Sequence, residues 1–260
     1  MNKEKLSKLE KELMKLGSVA VAFSGGVDST FLLYVAKQVL GDNVLAITID
    51  GTAISKREIE DVREFLKDWN IKNEIIKVNQ LDIEGFADNN PDRCYVCKKA
   101  LFSMIKDIAK KHGIINVVEG TNQDDLGDFR PGMKALDELT IISPLKNAGI
   151  NKSEIREWSK SFGLNTFDKP SNPCMATRIK TGEKITEEKL VMIEKAEDYL
   201  IDLGFEKVRV RMIGDDTSIE VDKDRVSDLE KINVEETLKS IGFKNVSINK
   251  EGYVKGRMNG

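Results

Sequence analysis

Residues 19–23, VAVAF, are small or β-branched apolar positions with no polar alternation, the pattern of a strand covered on both faces of a parallel sheet. Directly after it Phe31, Leu32, Val35, Ala36, Val39 and Leu40 recur at helical spacing, and Gly41 falls where a left-handed C-terminal cap belongs. The alternation continues. VLAITI (44–49) reads as a strand, Ile59, Val62, Leu66 and Trp69 as one helix face, EIIKV (74–78) as a strand and 98–112 as a helix, with VVEGT (117–121) and TIISPL (140–145) as further strands. NKSEIREWSKSFG (151–163) predicts a helix that opens on a capping box between Asn151 and Glu154 and closes at Gly163. Ahead of all of these, Leu6, Leu9, Leu13 and Leu16 put one apolar face on a charged N-terminal helix. Strands and helices in this order predict an α/β fold, a parallel sheet with helices on both faces.

From about Thr186 the pattern changes. A helix to Leu203 is followed by VRVRMI (208–213), SIEV (218–221), a polar helical stretch and NVSI (245–248), a small α+β unit. The expected division is therefore 1–183 and 184–260. In VRVRMI, Val208, Val210 and Met212 share one side and Arg209 and Arg211 the other. Two adjacent guanidinium groups suit a phosphate or carboxylate, and a solvated strand face is the competing reading.

The junction of the first strand and its helix, SGGVDST (24–30), carries the first candidate chemistry. Gly25 and Gly26 let backbone N–H groups approach a ligand, and Ser24, Ser29 and Thr30 add hydroxyls at the positive helix end, an anion site. No lysine follows the glycines and Asp28 stands inside the loop, so this is not the Gly-Lys-Ser/Thr nucleotide loop, although a polyphosphate suits it. A tight turn that needs glycine for geometry alone is the plainer alternative. Ligands of open parallel sheets bind beyond the carboxyl ends of the strands, where this loop, Asp50 and the segment around Gly120 all fall. For Asp50, contact with a nucleotide competes with a role as turn former.

Charge and cysteine usage narrow the setting. The chain has 41 basic and 44 acidic residues in 260, net −3, which gives no global attraction to nucleic acid and leaves a local patch open. No apolar run is long enough to span a bilayer and the N-terminal helix is amphipathic rather than secretory, so a cytoplasmic protein is expected. In a reducing compartment the three cysteines are thiols or metal ligands rather than a disulfide framework.

SGGVDS resembles the loop of the PP-loop ATP pyrophosphatases, which split ATP between its α and β phosphates and adenylate a substrate. The resemblance implies that Ser24, Gly25, Gly26, Val27, Asp28 and Ser29 hold the pyrophosphate of ATP, that Asp28 helps to place Mg²⁺, and that Asp28 and Ser29 serve the adenylating step. Three further segments, NNPDRCYVCKKALF (89–102), EGTNQDDLGDFRPGMKAL (119–136) and DKPSNPCMATRI (168–179), resemble the LarE-type sulfur transferases, a branch of that superfamily. Together with VRVR the resemblance covers nearly the whole chain. It implies activation of the carboxylates of pyridinium-3,5-biscarboxylic acid mononucleotide with ATP and replacement of an oxygen by sulfur, in biosynthesis of the nickel-pincer nucleotide cofactor.

By the same resemblance Thr121, Asn122, Asp125, Asp128 and Arg130 lie where the family positions the adenylate. Arg209 and Arg211 would take the phosphate of the substrate nucleotide, with Arg178 a further candidate anion contact. Cys94, Cys97 and Cys174 match a type in which three cysteines hold a [4Fe–4S] cluster with one iron open to an extra sulfide. In another type a single cysteine, matched by Cys174, surrenders its own sulfur and is left as dehydroalanine. A structural zinc with His112 as fourth ligand and a redox-active Cys94/Cys97 dithiol are alternatives. Iron–sulfur-dependent tRNA thiolation is a second enzymatic reading, against which stand the lack of an added RNA-binding module and of a basic excess. A nucleotide sensor without turnover is a third. The expected partners are the nucleotide substrate, a sulfide donor and further copies of the chain, with no membrane.

Overall fold

The computed structural model describes residues 3–127 and 131–254. In chain order the first elements are α1 (Lys3–Leu16), β1 (Val19–Ala22), α2 (Val27–Leu40), β2 (Val44–Gly51), α3 (Lys56–Asp68), β3 (Asn73–Val78), α4 (Arg93–Lys111), β4 (Val117–Val118), α5 (Pro131–Glu138), α6 (Pro144–Asn147) and α7 (Lys152–Ser161). After these come α8 (Glu187–Asp202), β5 (Val208–Ile213), β6 (Asp216–Val221), α9 (Val226–Leu229), α10 (Val234–Ile241) and β7 (Asn245–Ile248). Among the described residues no helix is long and apolar enough to cross a membrane.

The larger sheet has the order β3-β2-β1-β4 and every pairing in it is parallel, with Val19 opposite Val44, Ala20 opposite Val117 and Ile47 opposite Glu74. Val19, Val21, Val44 and Ala46 enter one apolar cluster with Leu9 and Leu13 of α1, Phe31 and Leu32 of α2, and Ile155 and Trp158 of α7. Ala20, Leu45 and Ile47 alternate with them and are equally buried, so both faces are covered, as the unbroken apolar runs require. The parallel α/β reading therefore holds.

Two elements depart from the pattern. TIISPL does not form a strand: Ile142 alone bridges to Val118, and Pro144 then opens α6, where its missing N–H costs nothing. The helix expected over 98–112 begins five residues earlier, at Arg93, whose N–H closes a turn on the carbonyl of Asn90 at 2.9 Å. Cys94 and Cys97 consequently lie within the first five residues of α4, three apart on one helical face.

The chain forms two compact units, and they do not follow one cut such as 183/184. The first comprises the residues up to Gly51 with Lys56–Val78 and Cys94–Ser171; the second comprises Thr52–Ser55, Asn79–Arg93 and the residues from Asn172 onward. Asn89 explains part of this. It is fully buried at φ +56°, a left-handed conformation that asparagine tolerates, and its amide donates to the carbonyls of Lys180 and Glu183 at 2.9 Å each. Gln80 acts likewise, accepting from Ala53 N at 2.8 Å, while the Ala53 carbonyl accepts from Met175 N at 2.9 Å. The second unit has its own sheet, β5-β6-β7, antiparallel between β5 and β6 and parallel between β6 and β7. Ile193, Ala196 and Leu200 of α8 are buried together with Val208, Val210 and Ile219 of that sheet.

Candidate functional site

In the first unit the site grows from the turn between β1 and α2. Gly25 has φ +71°, and a Cβ there would come within 2.7 Å of Val62 Cγ2 on α3, so both the backbone angle and the close approach of that helix call for glycine. Gly120 is placed as tightly: a Cβ on it would lie 3.0 Å from Ser29 N and 3.2 Å from Asp28 Cβ. The Ser29 hydroxyl braces the turn from inside. It donates to Gly26 O at 3.1 Å, accepts from Ser24 N at 3.3 Å and lies 3.1 Å from Ser24 Oγ. The loop is thus preorganised by its own side chains, with Gly26 as N-cap of α2 and no side chain capping the helix. Uncapped N–H groups at a helix start are the donors an anion takes.

Asp28, in the first turn of α2, meets a residue the sequence reading did not single out. Lys152 Nζ of α7 pairs with Asp28 Oδ2 at 2.5 Å, and Asn122 Nδ2 lies 3.4 Å from Asp28 Oδ1. Burial pushes the Asp28 carboxyl above its ordinary value of 3.8; Asp125 acts in the same direction, while Lys152 and Asn122 oppose it without prevailing. Lys152 occupies the first position of α7, where the helix dipole disfavours a cation, and that misplacement is the signal in the sequence that points to a task.

The segment after β4 is stitched to the segment that leads into α7. Lys146 N donates to Thr121 O at 3.1 Å, Gln123 N to Ile150 O at 2.8 Å, and Lys152 N to Asp124 Oδ2 at 2.9 Å. Asn122 N donates to Asp125 Oδ2 at 3.0 Å, so Asn122 and Lys152 are delivered to Asp28 by one backbone assembly. Glu119, also unremarked in the sequence, anchors it: buried, it accepts from Thr121 N at 3.1 Å, Thr121 Oγ1 at 2.8 Å and Ser143 Oγ at 2.5 Å. An acid that closes an apolar strand is the only hint of it in the sequence. Asp50, near the end of β2, forms an ion pair with Arg63 at 3.5 Å. Asp128 and Arg130 lie outside the described residues.

In the second unit Cys174 precedes a 3₁₀ turn, Met175–Arg178. Its carbonyl accepts from Thr177 N at 2.9 Å, Thr177 Oγ1 at 2.8 Å and Arg178 Nη1 at 3.3 Å. Arg178 is fully buried and turned to the protein: it donates to both carboxylate oxygens of Glu197 at 2.9 Å, to Asn172 Oδ1 at 2.6 Å and to the Pro173 carbonyl. It organises the cysteine turn. Arg209 and Arg211 are both buried, 5% exposed each, which removes the solvated strand face as an account of them. Arg211 pairs with Glu220 at 2.9 Å and donates to Thr177 O at 3.1 Å. Arg209 lies over the Tyr253 ring, 5.5 Å from its centroid, and burial, with Arg178 beside it, pulls its guanidinium down to about 10. A cation held in so poor an environment gains from an incoming anion.

Of the three thiols, Cys94 is exposed and Cys97 and Cys174 are half-buried. Among the described residues no three His, Cys, Asp or Glu side chains gather as a metal site. Cys94 and Cys97 belong to the first unit and Cys174 to the second. His112 lies 3.0 Å from Glu74 on the surface.

A parallel sheet whose first strand runs into a glycine loop, an aspartate and a braced serine is the nucleotide-binding arrangement of a PP-loop protein. The PP-loop domain model matches residues 1–129. The chain is 36% identical to an uncharacterized protein of Synechocystis over 263 residues, 100% of this chain and 98% of that one. It is 33% identical over 250 residues, 95% of this chain and 91% of the other, to the pyridinium-3,5-bisthiocarboxylic acid mononucleotide synthase of Lactiplantibacillus plantarum. An uncharacterized protein of Methanocaldococcus jannaschii is 33% identical over 254 residues, 96% of this chain and 97% of that protein. The chain belongs to the LarE family of PP-loop proteins, which includes the Lactiplantibacillus plantarum synthase.

Proposed function

We propose that this protein is an ATP-dependent sulfur transferase that converts carboxylates of pyridinium-3,5-biscarboxylic acid mononucleotide to thiocarboxylates, a step in nickel-pincer nucleotide biosynthesis. The observation that carries the reading is the preorganised Ser24–Ser29 loop with Asp28 at its centre, in a chain alignable over 95% of its length with a relative named for the thiocarboxylate product. A substrate carboxylate oxygen attacks the α-phosphorus of ATP, and the bond to the bridging oxygen breaks as pyrophosphate leaves. The loop N–H groups receive that pyrophosphate, and Asp28 would hold the Mg²⁺ whose charge offsets that of the leaving phosphates. A sulfur nucleophile then adds to the activated acyl carbon, and AMP departs with the former carboxylate oxygen.

Arg209 and Arg211 take the phosphate of the substrate nucleotide in this reading, and Cys174, on a turn clamped by Arg178, belongs to the sulfur step. Cys94, Cys97 and Cys174 are the ligands proposed for a [4Fe–4S] cluster: three thiolates suit it by donor type, and a cluster so held would supply a place for exchangeable sulfide. The reading is tested by incubating the protein with Mg-ATP with and without the dicarboxylate nucleotide. AMP and pyrophosphate are expected only when both are present; ADP as the product, or no cleavage, overturns it.

Binding separates the two nucleotide sites. Arg209→Ala is expected to weaken the dicarboxylate nucleotide roughly tenfold or more, through loss of charge-assisted bonds, and to change the affinity for ATP less than twofold. Titration calorimetry with each ligand checks this, and equal losses for both place Arg209 elsewhere.

A further inference from the structure

Lys169 stands at the loop without belonging to the motif. Its ammonium donates to the carbonyl of Gly25 at 3.4 Å and to Asp61 Oδ2 of α3 at 2.8 Å. The backbone that carries it is pinned, because the Arg156 guanidinium of α7 donates to Phe167 O at 2.6 Å and to Lys169 O at 2.9 Å. Gly25 rests directly on Val62, the residue after Asp61, so Lys169 bridges the seam between the loop and α3.

As a support for the fold this arrangement is poor. Asp61 is 53% exposed, and an ion pair with an exposed carboxylate adds little stability. An ammonium has three donors, while a carbonyl at 3.4 Å and one carboxylate oxygen use two. As a phosphate ligand it is well placed, a charge on a fixed backbone beside the N–H groups that receive an anion.

We propose that Lys169 is a phosphate-binding residue for ATP, contacting the β- and γ-phosphates on the Gly25 side of the loop while Lys152 stands on the Asp28 side. Asp61 holds the ammonium in place until the nucleotide arrives and then competes with it. The proposal rests on the ATP-cleaving reading of the loop.

Calorimetry on the full chain with Mg-ATP and with AMP, for wild type, Lys169→Gln, Lys169→Arg and Asp61→Asn, tests it. Lys169→Gln should weaken Mg-ATP roughly tenfold or more and AMP less than twofold, since AMP lacks the phosphates concerned, and Lys169→Arg should recover most of the loss. Asp61→Asn should bind Mg-ATP at least as tightly as wild type. Wild-type affinity in Lys169→Gln, equal losses for Mg-ATP and AMP, or weakening of Mg-ATP by Asp61→Asn to the level of Lys169→Gln would overturn the proposal and leave the pair a fold contact. A wild-type protein that fails to bind Mg-ATP overturns the ATP reading first and this proposal with it.

Discussion

Asp28→Asn is expected to lower AMP formation roughly 10²–10³-fold and, at pH 7, to raise the Tm. The first effect follows, in the proposed reading, from removing the charge that would hold Mg²⁺ against the departing pyrophosphate. The second follows from the direction of the Asp28 shift. Burial places its folded value above 3.8, so between those two values the folded protein keeps a proton that the unfolded chain has released. Stability therefore falls as pH rises through that window, and the cost persists at neutral pH. Asparagine keeps the shape and removes the charge, and Lys152, 32% exposed in the pair, can turn to solvent. The Tm advantage of the variant should shrink as pH falls through the raised folded value and disappear below 3.8, where wild-type Asp28 is neutral in both states. Retained AMP formation would remove Asp28 from the reaction; a Tm below wild type at pH 7 would mean that the ion pair outweighs the burial.

Cys174→Ser is expected to abolish formation of the thiocarboxylate while ATP cleavage persists, because in the proposed reading the thiol serves the second half-reaction only. What Cys94→Ser and Cys97→Ser do then distinguishes two sulfur sources. With a [4Fe–4S] cluster, protein prepared without oxygen is brown, carries about four irons per chain, turns over repeatedly when given sulfide, and loses both iron and product on replacement of any one cysteine. With sacrifice, only Cys174 matters: its Cβ–S bond breaks as the Cα proton leaves, the sulfur departs in the product, and each chain acts once and ends lighter by the mass of hydrogen sulfide. A colourless preparation that stays active with both Cys94 and Cys97 replaced by serine would refute the cluster. Iron analysis and intact-protein mass spectrometry read the two outcomes.

Local periodicity and turn chemistry carried much of this fold. VAVAF followed by SGGVDST identifies a buried parallel strand, a glycine turn and an anion-receiving helix start, since each depends only on neighbours along the chain. The same holds for the Asn151–Glu154 capping box, which forms as expected. Where a local signal was ambiguous it failed: TIISPL has the composition of a strand, but Pro144 removes a ladder donor and starts a helix instead. The cysteine pair was visible as a spacing, whereas its place on a helix turn depended on how far α4 extends toward its N-terminus. Arg209 and Arg211 could be put on one strand face, yet only the packing of the second unit around β5 settled that the face is buried. Lys152 is the clearest case of what sequence leaves open. Its partner Asp28 is 124 positions away, and the two meet because the β3-β2-β1-β4 order sets β4, and the segment tied to it, beside the strand that carries the loop. Periodicity along a chain specifies which face each element buries; which distant charges then confront each other is decided by the order in which the strands assemble.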